Sequence, residues 1–344
     1  MHFVLTPVRV EISLKKVLAT TLLLVLIAAG TAAYAFYWWA NAPLHFASTQ
    51  LDATLKPRSS LRGVAAQLAQ AGVPVRPELF VLLTRAMGLS AQLKAGNYEF
   101  DSGVTPDEVL QKIARGDVNE YLVTVIDGWN FRQMRAEIDA SPALRHDTAG
   151  WTDAQILKAL GVPDDAAEGR FFPDTYLFDK ETPDLDIYRR ALKLMDQRLS
   201  QLWAARASAL PYKSPYDALI MASLVEKETG RAADGPMVAA VFVNRLKLGM
   251  PLQTDPSVIY GIGNLYSGRL HKKDLQTDSP YNTYTRVGLP PTPIALPGNG
   301  ALEAALNPAQ THALYFVARG DGSSLFSDTL EAHNRAVNKY IRGE

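Results

Sequence analysis

A chain of 344 residues has room for an anchor and about two domains of ordinary size. Its 35 basic side chains balance its 35 acidic ones, and no long run of one sign occurs, which excludes the basic stripe of a nucleic-acid binder. There is no cysteine, so disulfides, thiol catalysis and thiolate zinc sites are excluded as well.

No residue from 17 to 41 is charged. That stretch is longer than the ~20 residues needed to cross a hydrocarbon core of ~30 Å. Arg9, Lys15 and Lys16 precede it and the next basic residue is Lys56, so the positive-inside rule predicts a cytoplasmic N-terminus with the bulk of the chain outside. Tyr34, Phe36, Tyr37, Trp38 and Trp39 supply an aromatic belt at the outer interface. Ala33-Tyr34-Ala35 has the small-residue form of a signal-peptidase site, but the length and the belt favour a retained anchor. The expectation is a cytoplasmic tail over 1–16, a transmembrane helix over 17–39 and a linker over 40–49.

Residues 50–55 alternate as a strand does and end at Lys56-Pro57. Ser59 or Ser60 then caps a helix to about residue 71, stopped by Gly72-Val73-Pro74. A helix over 77–87, a strand over 96–100 and a helix over 105–115 ending at Gly116 follow. The β-α-α-β order describes a small module better suited to binding or docking than to catalysis. Beyond it, 121–126 reads as a strand, Asp127-Gly128 as a turn and Asn130 as a helix cap. The aromatic-rich stretch 171–176 either lines a sugar site or plugs the space beneath a loop. An amphipathic helix over 187–202 serves as support.

The stretch 214–230, SPYDALIMASLVEKETG, reads as one helix with legible ends. Ser214 caps it, Pro215 fits the first position, Asp217 sits where a capping acid stands, and Gly230 is placed to close the last turn in a left-handed conformation. At about 100° per residue Asp217, Met221, Leu224, Val225 and Glu228 share a face, whereas Glu226 points the opposite way. The negative end of the helix dipole and partial burial both favour a protonated Glu228, which is what a general acid needs. A solvated charged run at a helix end is the competing reading. Asp234-Gly235-Pro236 starts a further helix over 237–248. A long polar, aromatic and proline-rich loop spans 279–300, and loops of that length are often functional. A strand over 315–318, a turn at Gly320-Asp321-Gly322, a return strand at Leu325-Phe326 and a helix over 328–340 complete the chain. Helices and strands mix without regular βαβ alternation, so the fold class is α+β.

P-loop, G-x-S-x-G and H-E-x-x-H signatures do not occur, and Gly261-Ile262-Gly263 lacks the third glycine of a dinucleotide fingerprint. Ser13-Leu14-Lys15-Lys16 matches S-x-x-K in letters only. The six histidines are scattered, none at ligand spacing from an acid, so neither a metal nor a cofactor is expected. Carboxylates beside amides, hydroxyls and aromatic rings remain, an inventory that suits carbohydrate.

The motifs Ala222-Ser223-Leu224-Val225-Glu226-Lys227-Glu228-Thr229, Phe242-Val243-Asn244-Arg245-Leu246, Leu252-Gln253-Thr254-Asp255-Pro256, Ser279-Pro280-Tyr281-Asn282-Thr283-Tyr284 and Gly288-Leu289-Pro290-Pro291 together resemble the endolytic murein transglycosylases of YceG-like type. Phe172-Pro173-Asp174-Thr175, Asn307-Pro308 and His333-Asn334 fit the same pattern. The resemblance implies a single-span inner-membrane protein with a small LysM-like subdomain over 50–126 and a mixed α+β periplasmic catalytic domain over 127–344. It implies cleavage within peptidoglycan strands, at the β-1,4 bond between N-acetylmuramic acid and N-acetylglucosamine, with Glu228 as acid and then base and a 1,6-anhydro ring as product. The partners implied are glycan strands, the inner membrane and a peptidoglycan synthase. Glu226 takes a supporting role, and Asp255 either participates or only shapes a turn or cap. Gln253 or Asn282 is a candidate acceptor beside the charge that develops at C1. Thr254, Tyr281, Asn282 and Tyr284 are candidates for sugar contact. A hydrolytic muramidase-type glycosidase and a non-catalytic peptidoglycan-binding scaffold are the alternatives.

Overall fold

Strand β1 (Gln50–Leu55) pairs antiparallel with β2 (Gly96–Asp101), from Gln50 opposite Asp101 to Leu55 opposite Gly96. The computed structural model that shows this describes residues 14–162 and 166–343. Most of the expected cytoplasmic tail therefore lies outside the described residues. Helix α1 (Leu14–Ala40) precedes β1 and is long and apolar enough to cross a membrane. Between the strands lie α2 (Leu61–Gln70) and α3 (Pro77–Ala86), and α4 (Pro106–Arg115) follows β2, which gives the β-α-α-β order and a further helix. Local chemistry accounts for the boundaries. Ser60 accepts the Gly63 N–H, Thr105 and Glu108 form a capping box, and Gly116 closes α4 at φ +76°.

The core of this module gathers Leu55, Leu68, Phe80, Tyr98, Phe100, Leu110 and Ile113. Ala40 and Leu44 belong to it, with Phe36 and Trp39 packed against it. Leu44 also exchanges backbone hydrogen bonds, its N–H donating to the Val104 carbonyl and its carbonyl accepting from Gly103. The stretch expected as a linker over 40–49 is thus partly core.

A second compact unit begins at Tyr121, earlier than the expected boundary after residue 126. The reason is pairing: β3 (Tyr121–Thr124) lies antiparallel to β5 (Thr175–Phe178), far along the chain. Helix α5 (Phe131–Ala140), capped by an Asn130–Gln133 box, leads to β4 (Leu144–Arg145) and α6 (Asp153–Ala159). Strand β6 (Thr182–Pro183) pairs in parallel with β4 and runs into α7 (Asp184–Ala204). Phe171 and Tyr176 are buried in one core, and Phe172 is buried in its neighbour. The plug reading of 171–176 therefore describes these rings, and none of them is free to line a sugar site.

Helices α8 (Pro215–Glu228), α9 (Gly235–Lys247), α10 (Asp255–Ile262), α11 (Lys272–Gln276) and α12 (Asn299–Leu306) follow. The hairpin β7 (Tyr315–Ala318) and β8 (Ser324–Ser327) and helix α13 (Leu330–Val337) end the chain. Among the described residues the strands form four two-stranded sheets, so the fold is α+β with helices carrying most of the burial.

Candidate active site

Helix α8 is the axis of the larger core of this unit. Ser214 accepts the Asp217 N–H at 3.3 Å, and the Asp217 carboxylate accepts the Lys213 N–H at 2.7 Å, so the first turn is closed from both sides. Every residue from Ala218 to Val225 is buried, with α7, α9, α10 and α12 packed around the helix. The single apolar stripe expected from spacing is therefore an underestimate; the helix is enclosed on all sides between its first and last turns. Its exit also differs from expectation. Thr229 is extended (φ −95°, ψ 107°) and its hydroxyl donates to the Val225 carbonyl at 2.6 Å. That bond satisfies a terminal carbonyl, and Gly230 adopts no left-handed conformation.

At this end Glu228 is half-buried. Its Oε1 accepts the Thr254 hydroxyl at 2.6 Å. Burial pushes the carboxyl pKa up, the charge of Asp255 pushes the same way, and the Thr254 bond opposes both. Thr254 stands at the N-cap of α10 yet makes no side-chain cap, because its hydroxyl is committed to Glu228. Its N–H donates to Thr283 Oγ1 at 3.0 Å, and the Gln253 N–H donates to the Thr283 carbonyl at 3.0 Å. Ser257 completes the tie, its hydroxyl 2.9 Å from that of Thr283 and donating to the Thr254 carbonyl at 2.8 Å.

Gln253 sits in the left-handed region at φ +54°, a conformation that costs a non-glycine residue energy and that its surroundings must impose. Arg245 on α9 is one constraint. Its guanidinium donates to the carbonyls of Leu252 (2.8 Å) and Leu314 (2.7 Å) and lies 5.2 Å from the Tyr315 ring. Asn244 donates to the carbonyls of Thr311 and Ala313. The Asn-Arg pair thus pins two crossing segments under Gln253 and Thr254. Neither Arg245 nor Thr283 stands out as a positioning residue in the sequence, since each acts on backbone far from it along the chain.

The other expected residues separate into two groups. Asp255 accepts the Tyr284 hydroxyl at 2.5 Å. Burial, that bond and the charges of Asp255 and Glu228 hold the phenol far above its usual pKa, so Tyr284 stays a neutral donor beside the acids. Thr254, Asp255, Tyr284 and Glu228 are therefore brought together, whereas the Gln253 side-chain oxygen accepts from the Arg245 guanidinium at 3.4 Å. Tyr281 and Asn282 are turned away. The Tyr281 ring meets Tyr260 edge-on at 5.0 Å, with its hydroxyl 2.9 Å from Thr292 Oγ1. Asn282 is buried; its amide donates to the carbonyls of Asp274, Leu275 and Thr277, and its oxygen accepts the Tyr284 N–H. In this arrangement its carboxamide organises the 274–284 loop.

Glu226 faces a different neighbourhood. It accepts the Gly298 N–H at 3.0 Å, at the start of α12, and lies against Gly128. Burial raises its pKa, Asp127 adds to the rise, and the Gly298 bond and Lys227 oppose it. A cavity of about 160 Å³ opens on this side, lined by Asp127, Val225, Glu226, Thr229 and Gly300 among others, but not by Glu228.

Residues 53–339 match the model of the YceG-like family. The chain belongs to that family. A curated relative from Bacillus subtilis, named endolytic murein transglycosylase, is 35% identical over 312 residues, covering 85% of each chain. One of the same name from Streptococcus pneumoniae is 27% identical, covering 83% of this chain and 57% of its own length. A crystal structure of a yceG-like protein from Listeria monocytogenes superposes with a TM-score of 0.55 at 30% identity, over 83% of this chain and 98% of that one. Both glutamates of α8 and the Gln253–Asp255 turn lie inside the family match.

Proposed function

We propose that this protein is an endolytic murein transglycosylase, cutting the β-1,4 bond between N-acetylmuramic acid and N-acetylglucosamine within a peptidoglycan strand. The observation that carries this reading is the setting of Glu228. One carboxyl oxygen is occupied by Thr254, and burial and Asp255 both favour the protonated form. The names of the relatives support the substrate class.

The protonated Glu228 donates to the glycosidic oxygen as the bond to C1 breaks. The carboxylate left behind takes the proton of the muramic 6-hydroxyl, whose oxygen closes onto C1 as the 1,6-anhydro ring. No water enters, and the acid ends the cycle protonated as it began. One carboxyl therefore suffices where a glycosidase needs two. Thr254 holds Oε1 in place through both halves, and Tyr284 is the polar donor set beside the acids.

Digestion of purified glycan strands followed by mass spectrometry tests this. Wild-type protein is expected to leave anhydromuramic ends and Glu228→Gln none, with an unchanged circular dichroism spectrum. Ordinary reducing ends would instead make it a hydrolase, and intact strands a scaffold. The cavity beside Glu226 favours a second reading in which Glu226, backed by Asp127, is the acid. Glu226→Gln separates the two, since the first reading expects it to keep cutting.

In the same reading α1 is a single span of the inner membrane, with Arg9, Lys15 and Lys16 on the cytoplasmic side and both compact units in the periplasm. The β1–α2–α3–β2 module acts as a LysM-like glycan-binding unit. Anchorage places the site near newly made strands, where cutting ends their elongation beside a synthase. Because the chain has no cysteine, single introduced cysteines and an impermeant thiol reagent report the topology directly.

A further inference from the structure

Away from this chemistry, three side chains able to bind a metal meet beside the short parallel strand pair. Asp139 lies in the last turn of α5, His146 follows β4, and Asp184 opens α7 directly after β6. Leu144 pairs with Thr182 and Arg145 with Pro183, so the residues after each strand leave at the same end. The ligand atoms of the three side chains lie within 4.8 Å of one another. No spacing of histidine and acid along the chain announces this group, because its three members come from separate segments.

The hydrogen bonds around it decide its chemistry. His146 Nε2 lies 3.0 Å from the Ser141 carbonyl. A carbonyl only accepts, so Nε2 carries the hydrogen, and in the neutral ring Nδ1 presents a lone pair. That atom is buried, has no hydrogen-bond partner and stands 3.9 Å from Asp184 Oδ2. With the ring neutral, two electron-rich atoms face each other across a gap too long for a hydrogen bond. The same gap fits one cation bound to both at about 2.0–2.2 Å. Asp184 is fully buried and its carboxylate is already oriented, accepting the N–H of Thr148 at 3.1 and 3.2 Å and its hydroxyl at 2.7 Å. A ring N–H bound to a backbone carbonyl and a carboxylate held by its own donors are the outer supports that metal ligands ordinarily have. The buried Tyr188 hydroxyl lies within electrostatic reach of Asp139, Asp184 and Arg135.

We propose that Asp139, His146 and Asp184 form a site for a divalent cation of the zinc class, clamping the end of α5 to β4 and the start of α7. One imidazole and two carboxylates match the nitrogen–oxygen preference of such ions, and two negative charges neutralise the cation. The role is structural: it joins elements that carry no part of the Glu228 group.

The test uses full-length protein in detergent, stripped with chelator, desalted and titrated with zinc chloride against a chromophoric competitor. One zinc per chain at micromolar affinity or tighter is expected, with a raised unfolding temperature. His146→Ala and Asp139→Asn should each weaken binding at least tenfold, while Glu228→Gln binds as wild type. A measurement free of substitutions is histidine-ring NMR of the wild-type chain, in which zinc should move one imidazole of the six. No saturable binding up to millimolar zinc would overturn the proposal. So would binding indifferent to both substitutions, or no imidazole shifting with added zinc.

Discussion

Opposing influences act on the Glu228 carboxyl, and the balance raises its pKa. Burial and the neighbouring Asp255 penalise the charged form, and only the Thr254 hydroxyl supports it. If the protonated form binds substrate productively, kcat/KM falls on the alkaline side as Glu228 ionises. Thr254→Val removes the one bond that favours the anion. The alkaline limb should then move upward by about one pH unit, the scale expected for a hydrogen bond to a charged group. A pH–rate profile of glycan cutting checks this, and a limb that stays put or moves down counts against Glu228 as the acid. The raised proton affinity was foreseeable from position alone, because a helix end and partial burial are local properties. Thr254, whose hydroxyl lies 26 residues away along the chain from Glu228, was legible only as part of a motif.

Glu168 joins two helices, and no sequence signal marks it. It is buried, accepting the Phe131 N–H at the first residue of α5 (3.0 Å) and the Tyr260 hydroxyl from α10 (3.1 Å). Burial outweighs both bonds and lifts its pKa from 4.5 to about 7. A carboxyl raised on folding contributes stability that is complete below its unfolded pKa and is lost as pH rises through the folded value. Relative to Glu168→Gln, wild-type protein should therefore lose about 3 kcal/mol of unfolding free energy between pH 4.5 and pH 8. Denaturant titrations at several pH values measure that difference; parallel curves for the two proteins would show that Glu168 does not titrate in this window. The same lesson holds for the 279–300 stretch, read from its sequence as a long polar, aromatic and proline-rich loop of the kind that is often functional. Ile294, Ala295 and Leu296 are buried, and the Ile294 N–H donates to Ser223 of α8 at 3.0 Å. Much of this polar, proline-rich stretch lines the core, because its backbone groups find partners on α8 and in the 128–129 turn.

The anchor and the module that follows it divide inside α1. Phe36, Trp39, Ala40 and Leu44 pack with the β1–α2–α3–β2 core, whereas the preceding turns are exposed. A chain starting at residue 35 should be soluble without detergent and keep the unfolding midpoint of the module. One starting at residue 45 should lose at least about 4 °C, since burial of Leu44 alone is worth about 2 kcal/mol. Calorimetry of the two shortened proteins decides it, and equal midpoints would show that 36–44 contributes no packing.

The helix starts at Ser60, Thr105, Asn130 and Ser214, the β1 strand and the final hairpin follow from sequence, because caps, turns and strand alternation act between residues a few positions apart. Membership of the YceG-like family follows too, since ordered motifs survive as strings. The opposite headings of the two terminal glutamates of α8 follow from helix spacing as well. The pairing of β3 with β5, the burial of α8 on every face from Ala218 to Val225 and the meeting of Asp139, His146 and Asp184 do not. Each depends on which distant surfaces exclude water together, and burial of that kind leaves no periodic trace along the chain.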